Sequence, residues 1–352
     1  MKTPIRILLA VLCAAIIVSM PWFVSAPHML DEVRTEYSDW GEEEEDGEES
    51  GLLRLLIPSA RAEDDLIIEE VSAGEFDRNS SYELPWDLSP APEPNPANYT
   101  EDGYEDETIR VKIETQEEDG VTWHVARVEI ASPTQLRTAV AGDKVTSKKQ
   151  AKPSAMAKVN NAVIAINGDF YTNDPVKTSF EYRMTQKIRH NNNKTKDALI
   201  TDKNGDFTLD RFIKGKHEAA DYAREHQDEI VNVFTFGPAL VKDGQLVETD
   251  EHYGYNPNGR EPRSAIGQTG ELSYVLVIAE GRGESSGVNH AELAQKMYDL
   301  GCVQAFNLDG GNSAIMIFNG QSFRGSPGGE ERSLSDIIYF GTAVPTDSWK
   351  ED

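Results

Sequence analysis

The fold is decided by the stretch from Arg263 to Ser313, which reads RSAIGQTGELSYVLVIAEGRGESSGVNHAELAQKMYDLGCVQAFNLDGGNS. Its first six residues and the apolar, β-branched run Leu272–Ala279 predict two strands that pair as a hairpin. Asn289 followed by Glu292 has the spacing of a capping box, which predicts a helix that stops at Gly301. A further apolar run after that glycine predicts another strand.

This last strand, Cys302–Leu308, completes a strand–helix–strand unit with Leu272–Ala279. The short joints predict that the crossover helix returns the second strand parallel to the first. The carboxyl ends of both strands would then share one edge of the sheet, where open α/β sheets usually bind their ligands. Glu280 and Asp309 follow the two strands, so we expect them side by side at the mouth of a crevice.

Arg263 begins the antiparallel neighbour of Leu272–Ala279 and faces the same edge. A symmetrical two-residue turn at Thr269-Gly270 would pair Arg263 with Leu276, which leaves it four residues, or roughly 13 Å, short of Glu280. The length of the guanidinium side chain and the twist of the strands would close part of that gap.

Other strands surround the unit. Turn dipeptides between apolar runs, such as Asp119-Gly120 and Asn319-Gly320, predict further hairpins. The apolar run Val159–Ile166 predicts a buried strand that delivers polar residues at its end. The fold class expected is α+β or mixed α/β, as a single domain whose mixed sheet contains a βαβ unit and several hairpins.

Three regions follow one another along the chain. Lys2 and Arg6 precede the mostly apolar run Ile7–Val24, so residues 1–26 are predicted to be a signal peptide or an N-terminal membrane anchor. Acidic and proline-rich sequence over 27–105 predicts an extended linker, and the folded domain is expected over 106–346. The domain would lie on the extracellular face of the membrane, as a single-pass protein with its N-terminus inside, or be secreted.

The composition excludes several function classes. The chain has 352 residues and a formal net charge of -27, so it is not expected to bind nucleic acid by neutralising phosphates. A polyanionic substrate would need a local basic pocket. No HExxH, P-loop or G-x-S-x-G pattern occurs, and Cys13 and Cys302 are not expected to form a disulfide.

Glu280 and Asp309 are the candidate catalytic pair. Two carboxylates at one sheet edge are what glycoside hydrolysis uses, one as acid or base and the other as nucleophile or stabiliser. The alternative is that each residue only caps a turn.

Arginines and a glycine turn are candidates for holding an anion. Arg263 or Arg282 would clamp a phosphate with two parallel hydrogen bonds, and surface salt bridges are the alternative. The turn Gly310–Ser313 would present backbone N–H groups, although a tight turn explains it equally well. Asn167 and Asp169 would complete the crevice, or begin a loop with an Asx-turn.

Taken in order, these motifs resemble the phosphodiester glycosidase family. The resemblance covers roughly Thr108 to Val344 and rests on NGDFY (Asn167–Tyr171), FGPALVKDG (Phe236–Gly244), PRSAIG (Pro262–Gly267), Glu280-Gly281-Arg282, HAELAQKMYDLG, NLDGGNSA and ERSLSDII (Glu331–Ile338). It implies hydrolysis of a sugar-1-phosphate diester. Together with the apolar N-terminal run and the lack of a disulfide, it leads us to expect a bacterial, membrane-anchored member that acts on extracellular or cell-envelope glycans. Transfer of phosphate-linked wall or capsular polysaccharide, or binding of it without catalysis, are the alternatives.

The resemblance also orders the site residues. Asp309 is expected to act at the anomeric carbon, Glu280 to assist as base or orienter, and Arg263 with the turn amides to hold the phosphate. The expected substrate contacts are Asn167, Gly168, Asp169, Arg282, Gly310, Gly311, Asn312 and Ser313. No cofactor is expected to be required, and a divalent cation on Asp309 and Asp169 is left open as an alternative.

Overall fold

The computed structural model describes residues 82–142, 144–171, 180–190 and 196–350. The predicted membrane segment and most of the predicted linker lie outside these residues. Across the part that is described, no helix is long and apolar enough to cross a bilayer. The stretch 82–105, which the sequence assigns to the linker, packs on the domain. Ala91 is buried, and Arg137 donates hydrogen bonds to main-chain oxygens of Pro85, Asp87 and Ser89.

The described residues form twenty strands and three α-helices. The first nine strands are β1 (Gly103–Glu105), β2 (Ile109–Glu118), β3 (Val121–Ile130), β4 (Leu136–Val140), β5 (Ile164–Asn167), β6 (Phe180–Arg183), β7 (Gln186–His190), β8 (Ala198–Asp202) and β9 (Phe207–Asp210). The next eleven are β10 (Phe212–Ile213), β11 (Lys216–His217), β12 (Ile230–Thr235), β13 (Ala239–Lys242), β14 (Gln245–Leu246), β15 (Arg263–Gly270), β16 (Ser273–Ala279), β17 (Gln304–Asn307), β18 (Ile315–Phe318), β19 (Gln321–Arg324) and β20 (Asp336–Phe340). The helices are α1 (Pro153–Val159), α2 (Ala220–Glu225) and α3 (His290–Asp299). The domain is therefore mostly β, with less helix than the expected α+β or mixed α/β class.

The strands form three large sheets and one small one. The largest has eight strands in the order β1-β2-β3-β16-β15-β17-β13-β14. Two five-stranded sheets have the orders β7-β6-β12-β8-β9 and β19-β18-β5-β20-β4, and β10 pairs with β11. The ladders between the described strands are all antiparallel, so the predicted mixed sheet is wrong.

The predicted strand–helix–strand unit is present as β16, α3 and β17, with β15 lying between its two strands. β15 is antiparallel to both neighbours, so β16 and β17 run in the same direction and end at one edge of the sheet. The predicted hairpin register is wrong by three residues, because Arg263 lies opposite Ala279. The chain turns later than expected, at Glu271-Leu272, which alone would move the register by four residues, and an irregularity at Thr269 reduces this offset to three. Arg263 therefore lies one residue from the level of Glu280.

Hydrophobic packing fixes this edge from both sides. Side chains alternate along a strand, so Leu276 and Ile278 face a core cluster that all three large sheets share, while Val275 and Val277 face α3. Leu293 of α3 is fully buried on that outer face. Full burial of such a side chain contributes roughly 1.5–3 kcal/mol, so the ends of β16 and β17 are held in a rigid frame.

Candidate active site

Asp309 follows β17 at the edge where β16 also ends, and two side chains hold its backbone. Asn167 Nδ2 and Ser264 Oγ each donate to the main-chain oxygen of Asp309 at 2.8 Å. Asn167 ends β5 and Ser264 lies on β15, so two sheets converge on this one carbonyl. The position of Asp309 is therefore determined by strand ends and not by a free loop.

The carboxyl group of Asp309 is an unusual acid. Burial raises its pKa to about 6, and the negative charge of Asp169 adds to the effect. A hydrogen bond from Ser313, the guanidinium of Arg332 and the Gly310 N–H each oppose the rise. Asp309 therefore loses its proton closer to neutral pH than an ordinary aspartate does, which is a property of many groups in acid–base catalysis.

A basic pocket lies beside this acid. Arg282, Arg324 and Arg332 line a cavity of about 310 Å³, together with Asn312. Arg332 Nη1 donates to Ser313 Oγ at 3.0 Å, which links the pocket to Asp309. Three guanidinium groups outnumber the carboxylates of Glu330 and Glu331 around this cavity, so its lining has a small positive excess in a chain whose net charge is -27. The local basic pocket that a phosphate substrate would need is therefore present.

Two of the three arginines form no ion pair within 4 Å in the described part of the chain, although hydrogen bonds from Ser154 and Ser322 and the charge of Arg324 lower the pKa of the nearby Glu331 carboxyl. Among the residues that the structure describes, neither Arg324 nor Arg332 forms a salt bridge, and Arg324 donates to the main-chain oxygens of Gly328 and Gly329. Glu331 also lines the cavity, but its carboxylate accepts hydrogen bonds from Ser154 and Ser322. Positive charge in the pocket is thus left open to an incoming anion.

Arg282, a predicted substrate contact, lines the cavity, and its guanidinium group already has partners within the protein. Its Nε donates to Glu261 Oε2 at 2.8 Å, and its Nη1 donates to Asn312 Oδ1 at 2.9 Å. The side chain of Arg282 is 47% exposed, so this ion pair is solvated and worth little. A substrate anion would displace Glu261 at small cost.

Glu280 lies on the other side of β15 from Asp309. Because neighbouring strands are about 4.8 Å apart, the two backbones are separated by roughly 10 Å. Glu280 Oε1 lies 2.8 Å from His124 Nε2, and His124 Nδ1 lies 3.0 Å from Thr115 Oγ1. The two predicted carboxylates therefore share a sheet edge, while each has its own set of partners.

Arg263 binds groups of the protein itself and is not free to hold a phosphate, contrary to the prediction from the sequence. All five of its N–H donors are used by protein acceptors, at 2.7–3.2 Å, on Val288, Tyr255, His290, Asn256 and Gly259. Burial lowers the pKa of Arg263 to about 10, and that of its partner His290 to about 3. Arg263 is therefore a buried cation that ties the loop around Tyr255 to β15 and α3.

The turn amides are also committed within the protein. The Gly310 N–H faces the Asp309 carboxylate, and the Gly311 N–H donates to Pro262 O at 2.8 Å. In this conformation neither amide is free for a phosphate, which corrects the prediction for Gly310 and Gly311. The turn instead orients Asp309 and presents Asn312 to the basic pocket.

The predicted contacts Asn167, Gly168 and Asp169 lie beneath the site and not in it. Asn167 and Asp169 are fully buried, so a substrate cannot reach them. Gly168 packs against Asp336 so closely that a Cβ atom would lie 2.5 Å from Asp336 Oδ1. These residues support the end of β5, on which Asp309 rests.

Asp169 belongs to a buried charge cluster with Glu181, Arg183 and Asp336. The Arg183 guanidinium contacts the three carboxylates at 2.9, 2.8 and 2.7 Å, and the four side chains are fully buried. Burial raises the pKa of Glu181 and of Asp336, so the cluster holds protons that exposed acids would lose. One cation joining three strand segments braces the floor of the site.

The acidic side chains around Asp309 do not form a metal-binding cluster in the described part of the chain. Among the described residues, no group of three or more His, Cys, Asp or Glu side chains is arranged to hold a metal ion. Asp309 and Asp169 do not form a ligand pair, because both oxygens of Asp169 accept hydrogen bonds from Arg183, Tyr171 and Thr235.

Sequence reasoning missed His124, Arg324 and Arg332. Arg332 lies inside the ERSLSDII motif, which could have drawn attention to it. Arg324 ends the hairpin of β18 and β19, and His124 lies in the middle of β3, where no motif marks either residue. Only the pairing of distant strands brings these side chains to the site.

Comparisons with known proteins point to one family. The family model described as phosphodiester glycosidase matches residues 160–341, just over half of the chain. The SPbeta prophage-derived uncharacterized protein YomE of Bacillus subtilis is 32% identical over 108 residues, which are 30% of this chain and 17% of that protein. N-acetylglucosamine-1-phosphodiester alpha-N-acetylglucosaminidase from mouse is 33% identical over 89 residues, or 24% of this chain and 17% of the enzyme. The match thus spans less than a fifth of either relative.

A solved structure shares the fold. The catalytic domain of the zebrafish N-acetylglucosamine-1-phosphodiester alpha-N-acetylglucosaminidase, auto-inhibited by its pro-peptide, superimposes with a TM-score of 0.53. The alignment covers 71% of this chain and 86% of that domain at 17% identity. At this identity the likeness establishes the arrangement of strands and helices.

Proposed function

Because this chain belongs to the phosphodiester glycosidase family, we propose that it hydrolyses a sugar-1-phosphate diester and releases the sugar and a phosphomonoester. Membership of the family supports this class of activity at the family level. The particular site described above supports the assignment of roles to residues of this chain.

The phosphodiester would bind in the basic pocket. Arg332 and Arg324 offer guanidinium groups that form no salt bridge among the described residues, and Arg282 can exchange Glu261 for a phosphate oxygen. Guanidinium groups match phosphate oxygens with paired, charge-assisted hydrogen bonds. This replaces the earlier expectation that Arg263 and the turn amides hold the phosphate.

Cleavage would take place between the anomeric carbon and the phosphate oxygen. A phosphomonoester is a good leaving group, so the reaction needs little protonation and gains more from cations that stabilise the departing charge. Asp309, in its ionised form, would stabilise or attack the positive charge that develops at the anomeric carbon. Glu280 would remove a proton from the attacking water or orient that water.

The observation that carries this proposal is the hydrogen bond from Arg332 to Ser313 Oγ. It places a positive charge next to Asp309, the acid at this sheet edge whose pKa is raised to about 6. Without a cation beside Asp309, the pocket would hold an anion at a distance from any group that could act on the sugar.

Incubation of the purified protein with a glycosyl-1-phosphodiester tests the proposal. Hydrolysis predicts free reducing sugar and a phosphomonoester in equal amounts. Products in which the sugar is joined to another acceptor would indicate a transferase. Tight binding of the intact diester without any turnover would indicate a binding module and contradict the proposal.

We also propose that the substrate is a phosphate-linked glycan outside the cell or in its envelope, and that the protein is tethered to the membrane there. Support comes from the apolar N-terminal run and the acidic linker, which lie outside the described residues. Detection of the protein in the membrane fraction, and its digestion by protease added to intact cells, would test this location.

A further inference from the structure

Thr115, His124 and Glu280 lie in a row on one face of the eight-stranded sheet. His124 of β3 is the cross-strand partner of Thr115 on β2 and of Ile278 on β16. Since side chains alternate along a strand, Glu280 faces the same side as Ile278, two residues before it. Diagonal neighbours of this kind are within reach of long side chains.

Two hydrogen bonds connect the row. Thr115 Oγ1 lies 3.0 Å from His124 Nδ1, and His124 Nε2 lies 2.8 Å from Glu280 Oε1. A threonine hydroxyl can donate or accept, so it satisfies Nδ1 whichever proton the imidazole carries. The ring is therefore fixed both as the neutral Nε2–H tautomer and as the imidazolium, the two forms in which Nε2 donates to the Glu280 carboxylate.

The row is most deeply buried at its middle member, His124, because Thr115 at one end is exposed and Glu280 at the other end is partly exposed. The side chains of His124 and Glu280 are 8% and 19% exposed, and the ring of Phe323 lies 5.0 Å from the imidazole. Glu280 Oε2 accepts no hydrogen bond from any of the residues that the structure describes. One carboxylate oxygen is thus anchored, while the other is available to a substrate or a water molecule.

We propose that His124, held by Thr115, is a positioning residue that orients the Glu280 carboxylate toward the reacting sugar. This inference rests on the proposed function, in which Glu280 handles the attacking water. Anchoring Oε1 restricts rotation of the carboxylate, so Oε2 keeps one direction. Displacement of a reacting group by about 1 Å can cost roughly 100-fold in rate.

The inference adds residues from outside the matched part of the chain. The family model begins at residue 160, whereas Thr115 and His124 belong to the β2–β3 hairpin. The hairpin is bound to β16 along seven residue pairs, so it is an integral part of the sheet that carries Glu280. Part of the catalytic apparatus would therefore lie in the preceding hairpin.

A double-mutant cycle on the full chain tests this role, with H124Q, E280Q and the double variant. H124Q should lower kcat roughly 10–100-fold while KM stays within about twofold, because Gln cannot reproduce the ring's two anchors. In the E280Q background, H124Q should cause little further loss, since both changes act on one unit. H226Q is the matched control, because His226 stacks on Tyr222 beside α2 and is not part of the row. It should retain the wild-type kcat.

The hydroxyl of Thr115 gives a second, milder test. T115V should lower kcat in the same way as H124Q but less, and T115S should restore it, because only the hydroxyl anchors Nδ1. An H124Q effect of equal size in both backgrounds, or a T115S variant as slow as T115V, would overturn the inference alone. Absence of sugar release by the wild type would overturn the proposed function, and this inference with it.

Discussion

Arg332 donates a hydrogen bond to Ser313 Oγ over 3.0 Å, and the Ser313 hydroxyl opposes the rise that burial causes in the pKa of the neighbouring Asp309 carboxyl. A cation and an acid that follow different strands are thereby joined through one hydroxyl. The contact couples the place where a phosphate would bind to the place where the sugar would react. Both the binding and the ionisation predictions below depend on it.

Replacement of Arg332 should weaken catalysis without weakening the fold. Loss of a hydrogen bond to a charged group costs about 1.5–3 kcal/mol, so R332Q should lower kcat/KM roughly 10–100-fold. The melting temperature should hardly change, because Arg332 is exposed. R224Q is the matched control, since Arg224 is an exposed arginine paired with Asp221 on α2. Equal kcat/KM for R332Q and R224Q would remove Arg332 from the phosphate site.

Asp309 should impose an acid limb on the pH dependence of the reaction. Its pKa is raised to about 6 by burial, so kcat/KM should rise with pH and level off above pH 6 as the carboxylate forms. The charge of Arg332 holds the pKa of Asp309 down, so R332Q should raise that pKa further and move the acid limb to higher pH. Profiles of kcat/KM from pH 4.5 to 8 for both proteins measure the shift. A limb that stays in place, or moves to lower pH, would show that Asp309 is not the group observed.

The same acid should cost the protein stability above pH 6. An aspartate in the unfolded chain loses its proton near pH 4, whereas Asp309 in the folded protein keeps it until about pH 6. The unfolded state then binds fewer protons across this interval, so the free energy of unfolding falls as pH rises. D309N has no ionisable group at this position. Between pH 4 and pH 7, its free energy of unfolding should therefore rise by up to about 3 kcal/mol relative to that of the wild type. Denaturant unfolding at both pH values measures the gain, and parallel pH dependence of the two proteins would contradict it.

Gly168 should tolerate no side chain. A Cβ atom there would lie 2.5 Å from Asp336 Oδ1, and Asp336 cannot move because Arg183 holds it in the buried cluster. G168A should therefore lose about 1–3 kcal/mol of stability through overpacking. In G270A, the matched control, the added methyl group has nothing within 4 Å. Thermal melts should give G168A a lower melting temperature than G270A. Equal melting temperatures would mean that Asp336 can move to make room for the added methyl group.

Local patterns in the sequence predict the edge on which the site is built. The capping box of Asn289 and Glu292 is present at the start of α3, and the Asn319-Gly320 turn joins β18 to β19. Strand and helix periodicities are short-range properties, so each can be recognised within a few residues. The convergence of the ends of β16 and β17 followed from these elements and the handedness of the crossover.

Register and side-chain partners depend on longer-range packing. Leu272 adopts a left-handed conformation, with φ of 51°, and this unexpected turn residue shifts Arg263 toward Glu280. The five acceptors of Arg263 come mostly from a loop that folds back over it, which no periodic pattern describes. Arg324 ends β19, and Arg332 lies in the connection to β20, which two other strands separate from β19 in the same sheet; no local pattern predicts that this connection brings both guanidinium groups to one cavity.

The central claim is that the Asp309 carboxylate cleaves a glycosyl phosphodiester, and release of reducing sugar by wild type and D309N measures it most directly. Both proteins should be folded at pH 7 and should bind the diester, because D309N leaves Arg282, Arg324 and Arg332 in place. The wild type should release sugar, and D309N should be slower by roughly 1,000-fold or more, as when a principal catalytic group is lost. Release of sugar by D309N at the wild-type rate would contradict the account.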